Sequence, residues 1–188
     1  MLYPGTGSIW QFPGCGTPLV LSFDDEAVRF TRAGGAFDLA GLEASVDIDW
    51  VGAETPWLAL DRNGNGRIDD GRELFGSMTE LPDGRRAPNG FVALAALDDD
   101  GDGRITARDA AFARLLVWRD ANQDRRSDPG ELSSAEAAGL VSIDLDYRVA
   151  RRCDRSGEDC EIERARFVFR DGRDERSGAV VDVHLRER

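Results

Sequence analysis

A chain of 188 residues with 36 acidic and 24 basic side chains, net charge −12, can bury one sizeable core and repels anionic polymers. Nucleic acid is thereby excluded as a partner class, and cations are the natural ligands. No apolar run approaches the ~18 residues that a membrane-spanning helix needs, so no transmembrane segment is expected.

Residues 1–16, MLYPGTGSIWQFPGCG, are rich in Gly, Pro and small polar residues and read as a flexible arm. The arm has neither the basic n-region nor the apolar h-region of an intact signal peptide. From Thr17 to about Leu60, the runs PLVLSFD, AVRFT, AFDLA and VDIDWV are strand signals separated by Gly and acidic turns. In the last of them Val46, Ile48 and Trp50 alternate with Asp47 and Asp49, which places the apolar set on one face of a sheet.

The segment DRNGNGRIDDGRE then has the spacing of a calcium loop. Asp61, Asn63 and Asn65 stand at the alternating ligand positions, Gly66 at the turn and Ile68 at the core-pointing position, while Arg67 offers its carbonyl. Alternate side chains of a tightly turning loop converge on one point, as a hard cation with six to eight oxygen ligands requires. Position twelve is Arg72, with Asp69 at position nine and Glu73 one residue late; closure by Glu73 in a bulged loop is the preferred reading.

A second loop, DDDGDGRITARD, fits the pattern throughout. Asp98, Asp100 and Asp102 alternate, Gly103 makes the turn, Arg104 offers a carbonyl, Ile105 points inward and Asp109 closes the shell. Paired loops of this kind meet at position eight, so Ile68 and Ile105 are expected to form a small β-bridge. ELFGSM and GFVALAAL supply short helices on either side of the linker TELPDGRRAPNG. After the second loop, Thr106 is expected to cap a helix over ARDAAFARLLVW, in which Phe112, Leu115 and Leu116 recur at helical spacing.

A third loop follows, with Asp120, Asn122, Asp124 and Glu131 at positions one, three, five and twelve and the carbonyl of Arg126 at seven. It departs from the others at Arg125, where the turn glycine belongs, and at Ser127, where they carry Ile. SSAEAAG reads as a short helix stopped by Gly139. Val141, Ile143, Leu145 and Tyr147 then begin a half-buried strand, and ERARFVFRD and GAVVDVHLRE continue an antiparallel meander through the turn segment DGRDERSG. Cys153 and Cys160 bracket the polar loop CDRSGEDC; a cross-hairpin disulfide and two free thiols are both open there, and Cys15 has no evident partner. A bridge would place the protein outside the reducing cytosol.

The ordered motifs LALDRNGNGRIDDGRELFG, FVALAALDDDGDGRITARDAAFARLLVWRDANQD, PGELSSAEAAGLVSIDLDY and RFVFRDG resemble the EF-hand-type calcium-binding domain of bacterial secreted and surface proteins, a group related to hemolysin-type calcium-binding proteins. The resemblance implies an extracellular, cell-surface or periplasmic setting, and calcium binding without catalysis. The expected fold class is α+β. Central EF-hand-like loop-helix units (58–139), two paired calcium loops plus a third, are flanked by N-terminal strands (17–57) and a C-terminal antiparallel β-meander (140–188) within a single domain over 17–188.

The function expected is a non-catalytic calcium-binding module in which Ca2+ occupies two loops and a third, stabilises the fold and supports a surface for a protein partner, as in adhesion. Two alternatives stand beside it: a dockerin-like docking module and an accessory domain of a calcium-dependent hydrolase. An enzyme reading has little support, since there is no nucleophile elbow or zinc motif. The one histidine, His184, lies in a strand and reads as a surface residue.

Overall fold

The computed structural model describes residues 17–32 and 34–186; the expected arm over 1–16, with Cys15, lies outside the described residues. In chain order the strands are β1 (Leu19–Ser22), β2 (Phe30–Thr31), β3 (Ala36–Phe37), β4 (Val46–Asp47), β5 (Trp50–Val51), β6 (Trp57–Leu60), β7 (Arg104–Thr106), β8 (Leu115–Trp118), β9 (Leu132–Ser134), β10 (Leu140–Asp144), β11 (Arg148–Cys153), β12 (Cys160–Asp171) and β13 (Asp174–His184). One short α-helix, α1 (Gly90–Ala95), and 3-10 turns at Gly71–Glu73 and Phe112–Arg114 complete the regular structure among the described residues.

The alternating C-terminal segments form the long hairpin β12–β13, paired from Cys160 opposite His184 to Asp171 opposite Asp174. The reversal needs only Gly172 and Arg173, with Gly172 at φ 66°, so the ERSG expected in the turn is strand instead. β1 pairs with β13, and β6, β8 and β9 follow outward; on the other side β10 and β11 lie end to end along β12, and β7 pairs with β10. The result is one curled, nine-stranded antiparallel sheet. Two small sheets, β2–β5 and β3–β4, lie outside it.

Both faces of the central strands are buried, which explains why β1 (LVLS) and β6 (WLAL) read as unbroken apolar runs. Leu19, Leu21, Leu58, Leu60, Leu115 and Val180 face a core shared with Phe75, Phe91 and Phe167. Val20, Trp57, Ala59, Trp118 and Val181 face a second core, in which Trp50 and Phe37 from the small sheets stack against Trp57 and Trp118.

The expected α+β class is therefore corrected to an essentially all-β architecture without EF-hand helix-loop-helix units. The helix expected over ARDAAFARLLVW is a 3-10 turn followed by strand β8. Spacing of Phe112, Leu115 and Leu116 suits a helix, but Leu115 and Val117 alternate with Leu116 and Trp118 between the two cores, and the β-branched and aromatic content favours the strand. Thr106 consequently caps no helix and pairs with Ser142 in β7–β10. SSAEAAG gives the end of β9 and a turn, with Gly139 at φ 80° against the Arg170 carbonyl. ELFGSM forms no helix, since the 3-10 turn ends at its first residue, Glu73, and Leu74 bridges to Ala59, whereas GFVALAAL forms α1, capped by the Asn89 side chain on the Val92 N–H at 2.9 Å.

The expected bridge between Ile68 and Ile105 is also absent. Ile105 pairs with Ile143 across β7–β10, and Ile68 meets Ser127 of the third loop. Loops one and three are thus partners, and the second loop stands apart on the far edge of the sheet. Because the third loop runs into strand β9, a dockerin-like repeat of loop and long helix is not built here.

Candidate metal centres

Each of the three loops is wound by one hydrogen-bond scheme. The position-one carboxylate accepts the N–H of position six and of position four or five: Asp61 from Gly64 and Gly66 (2.7 and 2.8 Å), Asp98 from Gly101 and Gly103 (2.9 and 3.0 Å), Asp120 from Asp124 and Arg125 (3.1 and 3.0 Å). Side chains at positions three and five each accept the N–H two residues on, through Asn63 and Asn65, Asp100 and Asp102, and Asn122 and Asp124. A closing carboxylate then straps the ends of the loop together. Glu73 accepts from Arg62 and Asp69 (3.0 and 2.8 Å), Asp109 from Asp99 and Thr106 (2.9 and 2.7 Å), and Glu131 from Ala121 and Asp128 (2.9 and 3.4 Å).

Glu73 thus does, one residue late, what Asp109 and Glu131 do at position twelve, while Arg72 turns away to pair with Asp70 at 2.6 Å. One oxygen each from Asp98, Asp100 and Asp109, and likewise from Asp120, Asp124 and Glu131, lie within 4.8 Å of one another. The first loop substitutes Asn63 and Asn65 for two of these acids, and both amides point their nitrogens at Asp69 (3.3 and 2.6 Å). Arg67, Arg104 and Arg126 fall at position seven of their loops, where only the carbonyl has a part.

The third loop reaches the same winding without glycine. Gln123 and Arg125 adopt φ 59° and 62°, as Gly101 and Gly103 do at 69° and 80° in the second loop. Holding a residue with a Cβ there costs about 1–2 kcal/mol, and the side chains show what holds it. Buried Arg125 donates to the Ile48 carbonyl at 2.7 Å and lies over the Trp50 ring at 5.4 Å, and Gln123 donates to the Val51 carbonyl at 3.0 Å. The loop is riveted to the β2–β5 layer.

Electrostatics differ among the closures. Burial pushes Asp109 up, but the N–H groups of Thr106, Asp99 and Asp100 outweigh it and hold its carboxyl below the usual range. Burial of Glu73 and of Asp120 prevails over their N–H partners, and both are raised. Arg108 pairs with Asp100 at 3.3 Å and with Asp102, placing an exposed guanidinium over the second loop.

Two acidic residues outside the loops, Asp38 and Asp25, are accounted for by the protein itself. Asp38 accepts the N–H groups of Leu42 and Glu43 (3.0 and 2.6 Å), and Asp25 pairs with buried Arg164 at 2.7 Å, which also binds Glu161 at 3.1 Å. Cys153 and Cys160 form a disulfide joining β11 to β12, with their Cα atoms 4.0 Å apart.

His184 does not lie on an open surface as expected. Both faces of β13 are covered, so alternation puts it beside Asp182 and Glu163, half-buried, and burial together with the charge of Arg151 lowers it to about 4. Sequence reasoning passed over Asp182 and Glu163 entirely. The available signal was an acid inside the apolar run AVVDVHL, where a carboxylate has no place without a partner.

A domain built on an antiparallel sheet and bearing three Asp- and Asn-rich loops of common winding is the class that these features define. The chain belongs to the SPM domain family, whose model matches residues 19–186. It is similar to the iron-regulated protein FrpA of Neisseria meningitidis serogroup C, with 44% identity over 135 residues. That match covers 70% of this chain and 12% of FrpA. Family membership overturns the EF-hand-type resemblance, and the assignment to calcium-binding EF-hand proteins falls with it. The resemblance rested on loop spacing, which is local, while the family is defined by a span in which those loops join strands.

Proposed function

We propose that this SPM domain is a non-catalytic, exported module whose loops take hard divalent cations, calcium first, and that ion binding stabilises the sheet and a surface for a protein partner. The observation that carries this reading is the winding shared by all three loops, retained in the third at the expense of two residues in the left-handed region. A turn kept only to reverse the chain needs no second αL residue and no closing carboxylate. The oxygens offered are carboxylates, amides and carbonyls, the donor set of a hard cation. Loops of the extracellular class bind at roughly 10⁻⁴ to 10⁻³ M, and a site at about ten times its dissociation constant adds about 1.4 kcal/mol.

Export is supported by the Cys153–Cys160 bridge, which persists in oxidising compartments. Among the described residues no helix is long and apolar enough to cross a membrane. A cleft of about 620 Å³ lies between the β3 segment and the first and third loops, lined by Phe37, Asp38, Asp69, Asp124 and Arg126.

Thermal melts in chelator, in millimolar calcium and in millimolar magnesium test the reading. Calcium should raise the midpoint by several degrees over chelator and magnesium by less. Identical midpoints in all three would sink it.

A further inference from the structure

We infer that Glu163, Asp182 and His184 form a separate site for a borderline transition-metal ion such as Zn2+, distinct in place and in donor chemistry from the three all-oxygen loops. One ligand atom from each of the three side chains lies within 4.8 Å of the others. Asp182 and His184 are two residues apart on β13 and project from the same face, and Glu163 is the cross-strand neighbour of Asp182.

A β-bulge makes this arrangement. Glu161 pairs with Val183 and Glu163 with Asp182, so Ile162 is the extra residue. In unbroken register Glu163 would share a face with Glu161 and stand opposite Val181. The bulge instead turns Glu161 toward Arg164 and the Val28 N–H, and Glu163 toward Asp182.

Unused valence in the buried cluster points to a ligand. Asp182 is 0% exposed and sits among the apolar side chains of the first core. Its Oδ2 accepts the Gly90 N–H at 2.5 Å, and its Oδ1 has no hydrogen-bond donor. Oε2 of Glu163 is buried and unpartnered as well. The charge bearing on Asp182 is the like charge of Glu163, which adds to the cost of burying it. Two converging carboxylates left in this state are costly to bury. A divalent ion would neutralise both and complete their coordination.

The donor set selects the ion class. One imidazole with two carboxylates matches three-ligand sites of Zn2+ and its neighbours, with further positions open, whereas the loops lack nitrogen ligands. Outer contacts are in place too. Asn89 beside Glu163 favours its charged form and donates to the Tyr147 hydroxyl at 3.1 Å, and Tyr147 stacks on Phe91 of α1.

The test is calorimetric titration of the protein with Zn2+ in millimolar calcium, repeated with Co2+ by visible absorption. Expected are one equivalent of Zn2+, a Co2+ spectrum of low coordination number, and affinity weakened roughly tenfold or more in Asp182→Asn and His184→Gln. Asp98→Asn should bind Zn2+ as the parent does. Since Asp182 is deep in the core, His184→Gln, at a half-buried position, keeps the result readable if Asp182→Asn does not fold. Absence of Zn2+ binding under these conditions, or equal affinity in His184→Gln, overturns the assignment.

Discussion

Ser127 and Ile68 close the contact between the third and first loops: the Ser127 hydroxyl accepts the Ile68 N–H at 2.7 Å and donates to the Ile68 carbonyl at 3.2 Å. One side chain replaces the two backbone bonds of a β-bridge. Both residues are buried, so neither backbone group has water to fall back on. Ser127→Ala should therefore cost about 1–3 kcal/mol in chemical denaturation, the penalty of orphaned buried polar groups. Calcium titration of the variant should also be shallower, because the two loops would no longer order each other. A variant as stable as the parent would mean that the contact is incidental.

Arg125 gives a second, less intuitive expectation. Restoring the glycine that position six ordinarily carries removes about 1 kcal/mol of backbone strain. It also removes a charge-assisted bond to the Ile48 carbonyl, about 1.5–3 kcal/mol, and the contact with Trp50. Arg125→Gly should thus be net destabilising by about 1–3 kcal/mol. Increased stability in urea would show that the anchoring of this loop to the β2–β5 layer contributes little.

The loops were legible because their chemistry is local: residues at alternate positions around one turn fix both the winding and the donor set. The element between the second and third loops was not, because spacing alone does not separate a 3-10 turn plus strand from a helix. In AFARLLVW the deciding fact is tertiary. Leu115 and Leu116 go to opposite cores, and that follows from a sheet with two covered faces. The same cover explains the misreading of His184, for which an outward face of β13 was assumed. Loop pairing failed for a related reason: Ile68 and Ile105 match as residues, but β10 lies between the second loop and the rest of the sheet and takes Ile105 as its own partner. By contrast the C-terminal hairpin, whose alternation is long and whose turn holds Asp-Gly, was legible from the sequence.

Loop closure can be dissected by the gain in stability that calcium confers. In Glu73→Gln an amide nitrogen replaces one oxygen that straps Arg62 or Asp69, and the first loop should lose its share, about 1.4 kcal/mol at tenfold saturation. Asp69→Asn, at position nine, should lose less. Asp98→Ala should lower the gain more than Asp120→Ala, since the second loop offers four carboxylates (Asp98, Asp100, Asp102, Asp109) and the third three (Asp120, Asp124, Glu131). Equal losses would reject this ranking. Using the calcium-dependent gain in place of absolute stability separates ligation from the N–H groups that Asp120 also satisfies.

The pH dependence of folding should carry the mark of Asp159. Both Asp159 and Asp49 are buried and adjacent, and burial, with the charge of Asp49, pushes Asp159 up to about 6 from an ordinary 3.8. A carboxyl raised on folding favours the native state fully below about 3.8 and loses that contribution as pH climbs through about 6. At pH 8 Asp159 carries its charge against burial and against neighbouring Asp49. Asp159→Asn keeps an oxygen for the Arg186 N–H, which Asp159 accepts at 3.0 Å, and removes the charge. The variant should melt several degrees above the parent at pH 8, and the difference should shrink as pH falls through 6 and vanish near 4. A difference independent of pH over this range would show that Asp159 is not the group that titrates.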